Sequence, residues 1–170
     1  MYKFTGFTEK ANSALNAAIE SAQNMGHSYI GSEHLLVGLL EEDSGLAYNA
    51  LSARGLTAEK VEDAVRNSVG LGEVSELSPN DFTPRCKHVI DMSIVQARSM
   101  GHNYIGTEHL LISLIKEGQS AAVKIMAELG ADPKGVLEDV IKGLAGASAQ
   151  PVAAGDEAER PRADRAVGQV

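Results

Sequence analysis

The sequence predicts an all-α protein: two four-helix repeats forming a pseudo-twofold helical bundle, with a flexible C-terminal tail. Three observations carry that expectation. The stretch GHSYIGSEHLL, from Gly26, returns as GHNYIGTEHLL, from Gly101, with nine of eleven positions identical. The same offset of 75 residues maps Phe7 and Thr8 onto Phe82 and Thr83, Leu39 onto Leu114, Ala47 onto Ala122, Gly55 onto Gly130 and Val65 onto Val140. A constant offset means a duplicated unit without net insertions, and a repeat fixes the architecture before any element is assigned. Finally, apolar residues recur at helical spacing, and no stretch alternates long enough to make a strand.

Each repeat reads as four helices. The first opens at Thr8, an N-cap before EKANSALNAAIESAQNM, where Ala11, Leu15, Ala18, Ile19, Ala22 and Met25 form one stripe. Gly26 follows as the stop. The copy opens at Thr83 with Pro84 in the first turn, where its missing N–H costs nothing. It ends at Gly101, with Val89, Ile90, Ile94 and Ala97 expected to face inward. HSYIG is a turn, and Ser32 and Thr107 are read as N-caps of the short apolar helices EHLLVGLLEE and EHLLISLIKE. A third helix runs from about Gly45 to Arg54 and stops at Gly55; its partner stops at Gly130. The fourth runs from about Thr57 to Val69, matched by Asp132 to Leu144. Repeat one thus covers about 4–69, a connector 70–81, repeat two about 82–144, and a linker or tail 145–170. That tail is rich in Ala, Pro, Gly and charge and has no apolar stripe, as a tether to something further would be.

At 44% hydrophobic and 22% charged, the chain can bury a core, but with 4% aromatics that core must be aliphatic. A net charge of −8 and no dense Lys/Arg run argue against nucleic acid and against an anionic membrane surface. One cysteine allows no internal disulfide, as suits a reducing cytoplasm. The N-terminus lacks the apolar run of a signal peptide, and no segment has the roughly 18 apolar residues of a membrane span.

Catalytic chemistry finds little support in the motifs. There is no phosphate-cradling G-x-x-x-x-G-K-[ST] loop. His34 and His109 follow glutamates, but EHLL is not a zinc-binding H-E-x-x-H. His27 and His102, directly after helix-stopping glycines, are placed to bond the last helical carbonyls; a metal role is the alternative. Cys86 lies between Arg85 and Lys87, cations that can lower a thiol pKa, yet a half-buried, unreactive cysteine is the plainer reading. No catalytic residue, metal ligand or cofactor is therefore assigned.

Glu33 and Glu108 admit two readings. An acidic residue in the first helical turn opposes the macrodipole and stabilises the helix by roughly 0.3–1 kcal/mol. Alternatively, the unpaired amides of a helix start attract an anion, and a carboxylate beside them attracts a guanidinium. A site offering both suits a group that carries both charges, such as phosphorylated arginine. Two such sites would give avidity for multiply marked partners.

FTEKA and FTPRCK, each followed by GHxYIGxEHLL, resemble the duplicated N-terminal domain of the Clp/Hsp100 unfoldases, and the ClpC branch in particular. The resemblance spans about residues 4–144. It implies a non-catalytic module that recruits adaptor proteins and tagged substrates for an AAA+ unfoldase and its ClpP protease. The ATPase modules that would make the parent an enzyme lie outside this chain. The family's phosphoarginine and substrate contacts fall on Glu33 and Glu108, with Ser32 and Thr107 beside them. An adaptor or small-molecule surface is expected around Phe82, Lys10 and Arg85, although a Phe before an N-cap also serves as a hydrophobic staple. A stand-alone regulatory copy of the domain, or a small Cys/His hydrolase, are the alternatives. The sequence departs from the family's usual pattern at Ser32, at EEDSGLAYNAL and at Cys86.

Overall fold

The computed structural model describes residues 1–148; the rest of the expected tail lies outside the described residues. The elements are α1 (Glu9–Asn24), α2 (Ser32–Glu41), α3 (Leu46–Ala53), α4 (Ala58–Val69), a 3-10 turn (Pro79–Asp81), α5 (Pro84–Ser99), α6 (Thr107–Glu117), α7 (Ala121–Glu128) and α8 (Pro133–Ser148). Among the described residues there is no named strand. The protein is all-α, with four helices per repeat, as the sequence predicts.

The long helices start where expected. Thr8 Oγ1 accepts from the Ala11 N–H at 3.1 Å, and Thr83 Oγ1 from the Cys86 N–H at 3.1 Å. α1 ends in a two-bond turn, Gly26 N–H to Gln23 O and His27 N–H to Ala22 O, with Gly26 at φ 74°. That glycine is doubly required, because a Cβ there would lie 2.1 Å from the backbone of Gly72. α8 runs to Ser148, past the expected end at Leu144. Repeat one terminates α4 at Gly70, with φ 87°, but the matching residue is Ala145, which takes a left-handed conformation only at a cost.

α2 and α6 form the centre. α2 packs against α1, α3, α4, α5, α6 and α7, and α6 against α1, α2, α3, α5, α7 and α8. Leu35, Leu36, Leu39, Leu110, Leu111, Ile112 and Leu114 are fully buried there. Removing each such side chain from water contributes about 1.5–3 kcal/mol, an upper range since the unfolded chain already hides some surface. The core is aliphatic, as the scarcity of aromatics requires.

The repeats interlock instead of sitting side by side. Phe7 of the first pairs with Ile105 of the second, and Ile30 of the first with Phe82 of the second. Thr8 N–H donates to Ile105 O at 2.9 Å, and Thr83 N–H to Ile30 O at 2.9 Å. The two bridges are equivalents of one another at the 75-residue offset.

The connector is more than a tether. Leu77 is buried, its N–H donates to Gln23 Oε1 at 2.8 Å, and the Gly72 N–H donates to Met25 O. It thereby covers one side of α1. α5 has no such cover among the described residues, so Ile90 and Ile94, expected to face inward, are only half-buried.

Candidate functional site: two composite helix starts

The crossed bridges place the start of α2 beside the start of α5, and the start of α6 beside the start of α1. Each predicted site is therefore built from both repeats. The extended backbone of Gly31 and Gly106 makes these glycines the N-caps of α2 and α6; Ser32 and Thr107 are the first helical residues. The expectation that Ser32 and Thr107 cap their own helices is thus corrected. Ser32 Oγ instead accepts the Ala122 N–H at 3.1 Å, at the start of α7 in the other repeat. Thr107 turns likewise to the start of α3, where a Cβ on Gly45 would stand 3.8 Å from its Oγ1. The reason is register: a hydroxyl at the first helical position cannot reach back to the amides that an N-cap serves.

The amide of each true N-cap is met by histidine. The Gly31 N–H donates to His34 Nδ1 at 2.9 Å, and the Gly106 N–H to His109 Nδ1 at 2.9 Å. His34 Nε2 lies 2.8 Å from His27 Nδ1, and His27 Nε2 lies 2.8 Å from Gly70 O. The His27 and His102 side chains therefore do not bond the carbonyls ending α1 and α5, as expected of them; each pairs with the histidine seven residues on. Among the described residues, no group of three or more His, Cys, Asp or Glu side chains is placed to hold a metal ion.

Glu33 and Glu108 curl over their own first turns. Glu33 Oε1 lies 2.3 Å from where a Gly31 Cβ would stand, and Glu108 Oε1 lies 2.4 Å from the Gly106 equivalent. Only glycine leaves room for a carboxylate there. The Tyr29 hydroxyl donates to Glu33 Oε2 at 3.3 Å and Tyr104 to Glu108 Oε2 at 3.4 Å. Burial, reinforced by Glu33, pushes the Tyr29 phenol up to about 12, so it remains a donor. The tyrosines stack on His27 and His102, with ring centroids 5.6 and 5.1 Å apart. This tyrosine clamp was not singled out in the sequence, although both copies carry it in the repeated motif. Glu33 is 7% exposed. Glu108 keeps more accessible surface, yet protein atoms crowd its carboxyl; desolvation raises it, against the pull of its own backbone N–H, His102, Tyr104 and Lys10. Both carboxylates stand where they oppose the helix dipole.

The remaining predicted residues divide. Lys10 reaches toward the second site, its charge acting on Glu108 and Glu42. Its counterpart Arg85 is instead ion-paired with Glu117. Phe82, expected as partly exposed surface, is 5% exposed, with its ring edge-on to Phe4 at 6.3 Å. It serves the core. Cys86, expected to be half-buried, is wholly buried, and burial followed by the nearby Glu33 charge pushes its thiol up to about 12. His88 is exposed, so no Cys–His arrangement forms between them.

The interlocked helical repeats, with their paired helix starts, define a duplicated Clp-type N-terminal domain. The chain belongs to the Clp repeat (R) N-terminal domain family, which it matches over residues 6–92 and again over 81–169. It is 39% identical over 152 residues to chaperone protein ClpC1, chloroplastic, of Oryza sativa subsp. japonica, covering 89% of this chain and 16% of that protein. It is 41% identical over 140 residues to the negative regulator of genetic competence ClpC/MecB of Bacillus subtilis (strain 168), covering 82% of this chain and 17% of that one. The chain thus spans only about a sixth of these relatives. The crystal structure of the N-terminal domain of the chaperone ClpD from Arabidopsis thaliana superposes with a TM-score of 0.71 at 25% identity, covering 85% of this chain and 98% of that one. A ClpV N-domain in complex with VipB peptide shares the fold at a TM-score of 0.55 and 14% identity, over 79% of this chain and 88% of that one. Among the described residues, no helix is long and apolar enough to cross a membrane.

Proposed function

We propose that this domain is a non-catalytic recruitment module of a ClpC-like AAA+ unfoldase. It docks adaptor proteins and tagged substrates and passes them to ATPase modules and a ClpP-type protease in the cytoplasm. Phosphoarginine-marked proteins are the ligand class that the helix starts favour. The observation that carries this reading is the pairing, twice over, of a glutamate with the first-turn amides of a buried helix. A phosphoryl group takes the amides and a guanidinium takes the carboxylate. For that to happen each carboxylate turns outward from above its glycine, and the tyrosine releases it. Ser32 and Thr107 hold the helix starts against the other repeat instead of touching the ligand directly.

Calorimetric titration with free phosphoarginine tests this. Two sites of weak-to-moderate affinity are expected, and Glu33→Ala with Glu108→Ala should abolish binding while the far-ultraviolet circular dichroism is retained. Absence of heat together with unchanged amide NMR shifts would exclude phosphoarginine. Undiminished affinity in the double variant would leave the glutamates with the dipole alone.

A further inference from the structure

The two halves differ where the repeat should make them alike. Leu46 on α3 and Gly143 on α8 occupy the places that Ala121 on α7 and Ser68 on α4 occupy in the other half. Leu46 sits so close over Gly143 that a Cβ there would lie 2.4 Å from its Cδ1. Beside it Arg54 crosses from α3 to α8, its Nε 2.9 Å from Asp139 Oδ2 and its guanidinium against Gly135. The matching residues, just past the end of α7 and on α4, are Leu129 and Ala64, an apolar pair that cannot form such a tie. That side is consequently open. A cleft of about 150 Å³ lies between α4 and α7, walled by Val65, Val69, Ala121 and Ile125, with Glu33 and Lys124 on its lining. Through Ser68 and Glu128 it continues into a shallower groove of about 640 Å³.

Glu33, nine-tenths buried, thus borders an apolar cleft with a path outward, whereas in the other half Leu46, at the place equivalent to Ala121, lies over Gly143. We propose that the Glu33 site alone reads sequence around a bound arginine group. The occupant is an extended peptide whose guanidinium-bearing residue lies at Glu33 and whose aliphatic side chain, two positions away, enters the α4–α7 cleft. In an extended chain, residues two apart share a face. A void of about 150 Å³ holds a group the size of benzene, so Val, Leu or Ile fits. Glu33 and Glu128 beside Lys124 give the lining both signs of charge, complementary to a residue that carries a guanidinium and a phosphoryl group. This rests on the reading of the helix starts as arginine-group sites.

Two probes test it on the whole chain: Leu-Ser-phosphoarginine-Ser-Leu and Gly-Ser-phosphoarginine-Ser-Gly. Glu108→Ala isolates the first site and Glu33→Ala the second. At the first, the leucine probe is expected to bind about tenfold more tightly, from partial burial of one aliphatic side chain; at the second, the two probes should bind alike. Ala121→Leu copies the closed half at an exposed position and should erase the preference. Equal binding of both probes at the first site, or a preference surviving Ala121→Leu, overturns the inference while the recruitment reading stands. If neither probe nor free phosphoarginine binds anywhere, the underlying reading has failed and this one falls with it.

Discussion

His34 Nε2 stands 2.8 Å from His27 Nδ1, and the pair forms a directed hydrogen-bond chain. His34 Nδ1 is committed to the Gly31 N–H, so the ring proton is on Nε2 and is donated to His27; His27 Nε2–H then donates to Gly70 O. His109 and His102 repeat the pairing. An added proton would set two N–H groups face to face. Burial, reinforced at His34 by His27, holds the His34 and His109 rings down to about 3.

Stability should therefore fall with acid. These rings have folded values below the unfolded value of about 6.5, so their contribution is complete above that pH and is lost as pH drops toward 3. The slope approaches about 1.4 kcal/mol per pH unit for each histidine. Glu42, Glu62 and Glu108, raised by burial, act in the opposite sense, and the histidine variants below separate the two contributions. Urea midpoints at pH 7.5, 6.5 and 5.5 should fall. His34→Asn with His109→Asn, which keeps an acceptor for the cap amide, should flatten the trend; an unchanged slope would refute the assignment.

Gly38 and Ser113 occupy matched positions, yet they are not interchangeable. A Cβ on Gly38 would lie 2.1 Å from Ala14 O, whereas the Ser113 hydroxyl donates to Val89 O at 2.6 Å at the equivalent point. α1 and α2 therefore meet backbone to side-chain-free backbone, and α5 and α6 meet through a hydroxyl. Gly38→Ser should cost about 1–3 kcal/mol by overpacking, despite better helix propensity. Ser113→Ala should cost only about 1 kcal/mol for its hydrogen bond. Urea unfolding of both variants provides the comparison.

The fold was legible because duplication repeats every signal. The Thr8 and Thr83 caps, the glycine stops and the leucine-rich central helices each appear twice at one offset. The interlocking was not legible: identical motifs look the same whether Ile30 meets its own repeat or Phe82 of the other. At the sites, Ser-Glu and Thr-Glu before an apolar run read as caps, and only the extended Gly31 and Gly106 moved the cap back by one residue. The open cleft was hidden for a different reason. Exchanging Leu46 for Ala121 leaves the apolar pattern unchanged while changing whether space exists.

Ser32 tests the interlocking directly. Its hydroxyl is the acceptor for the Ala122 N–H in a buried place, so Ser32→Ala should cost about 1 kcal/mol as a lost cap. The decisive readout is location. Hydrogen exchange should accelerate at the first turn of α7, in the second repeat, more than in α2 itself. Acceleration confined to α2 would mean that the hydroxyl serves its own helix.

Cys86 supplies a probe of global opening. Its thiol is wholly buried on α5, and burial followed by the Glu33 charge pushes it up to about 12, so the native protein presents almost no thiolate near neutral pH. An aromatic disulfide reagent at pH 8 should leave the native thiol unreacted on the timescale in which urea-unfolded protein reacts completely. The residual native rate should track the unfolded fraction, rising about tenfold for every 1.4 kcal/mol of destabilisation if reclosing outpaces the reagent. Gly38→Ser should then react faster than Ser113→Ala, in the order of their urea stabilities. Rapid labelling of the native protein would place Cys86 in a locally opening segment and contradict its packing beneath Thr83, whose hydroxyl holds the Cys86 amide at 3.1 Å.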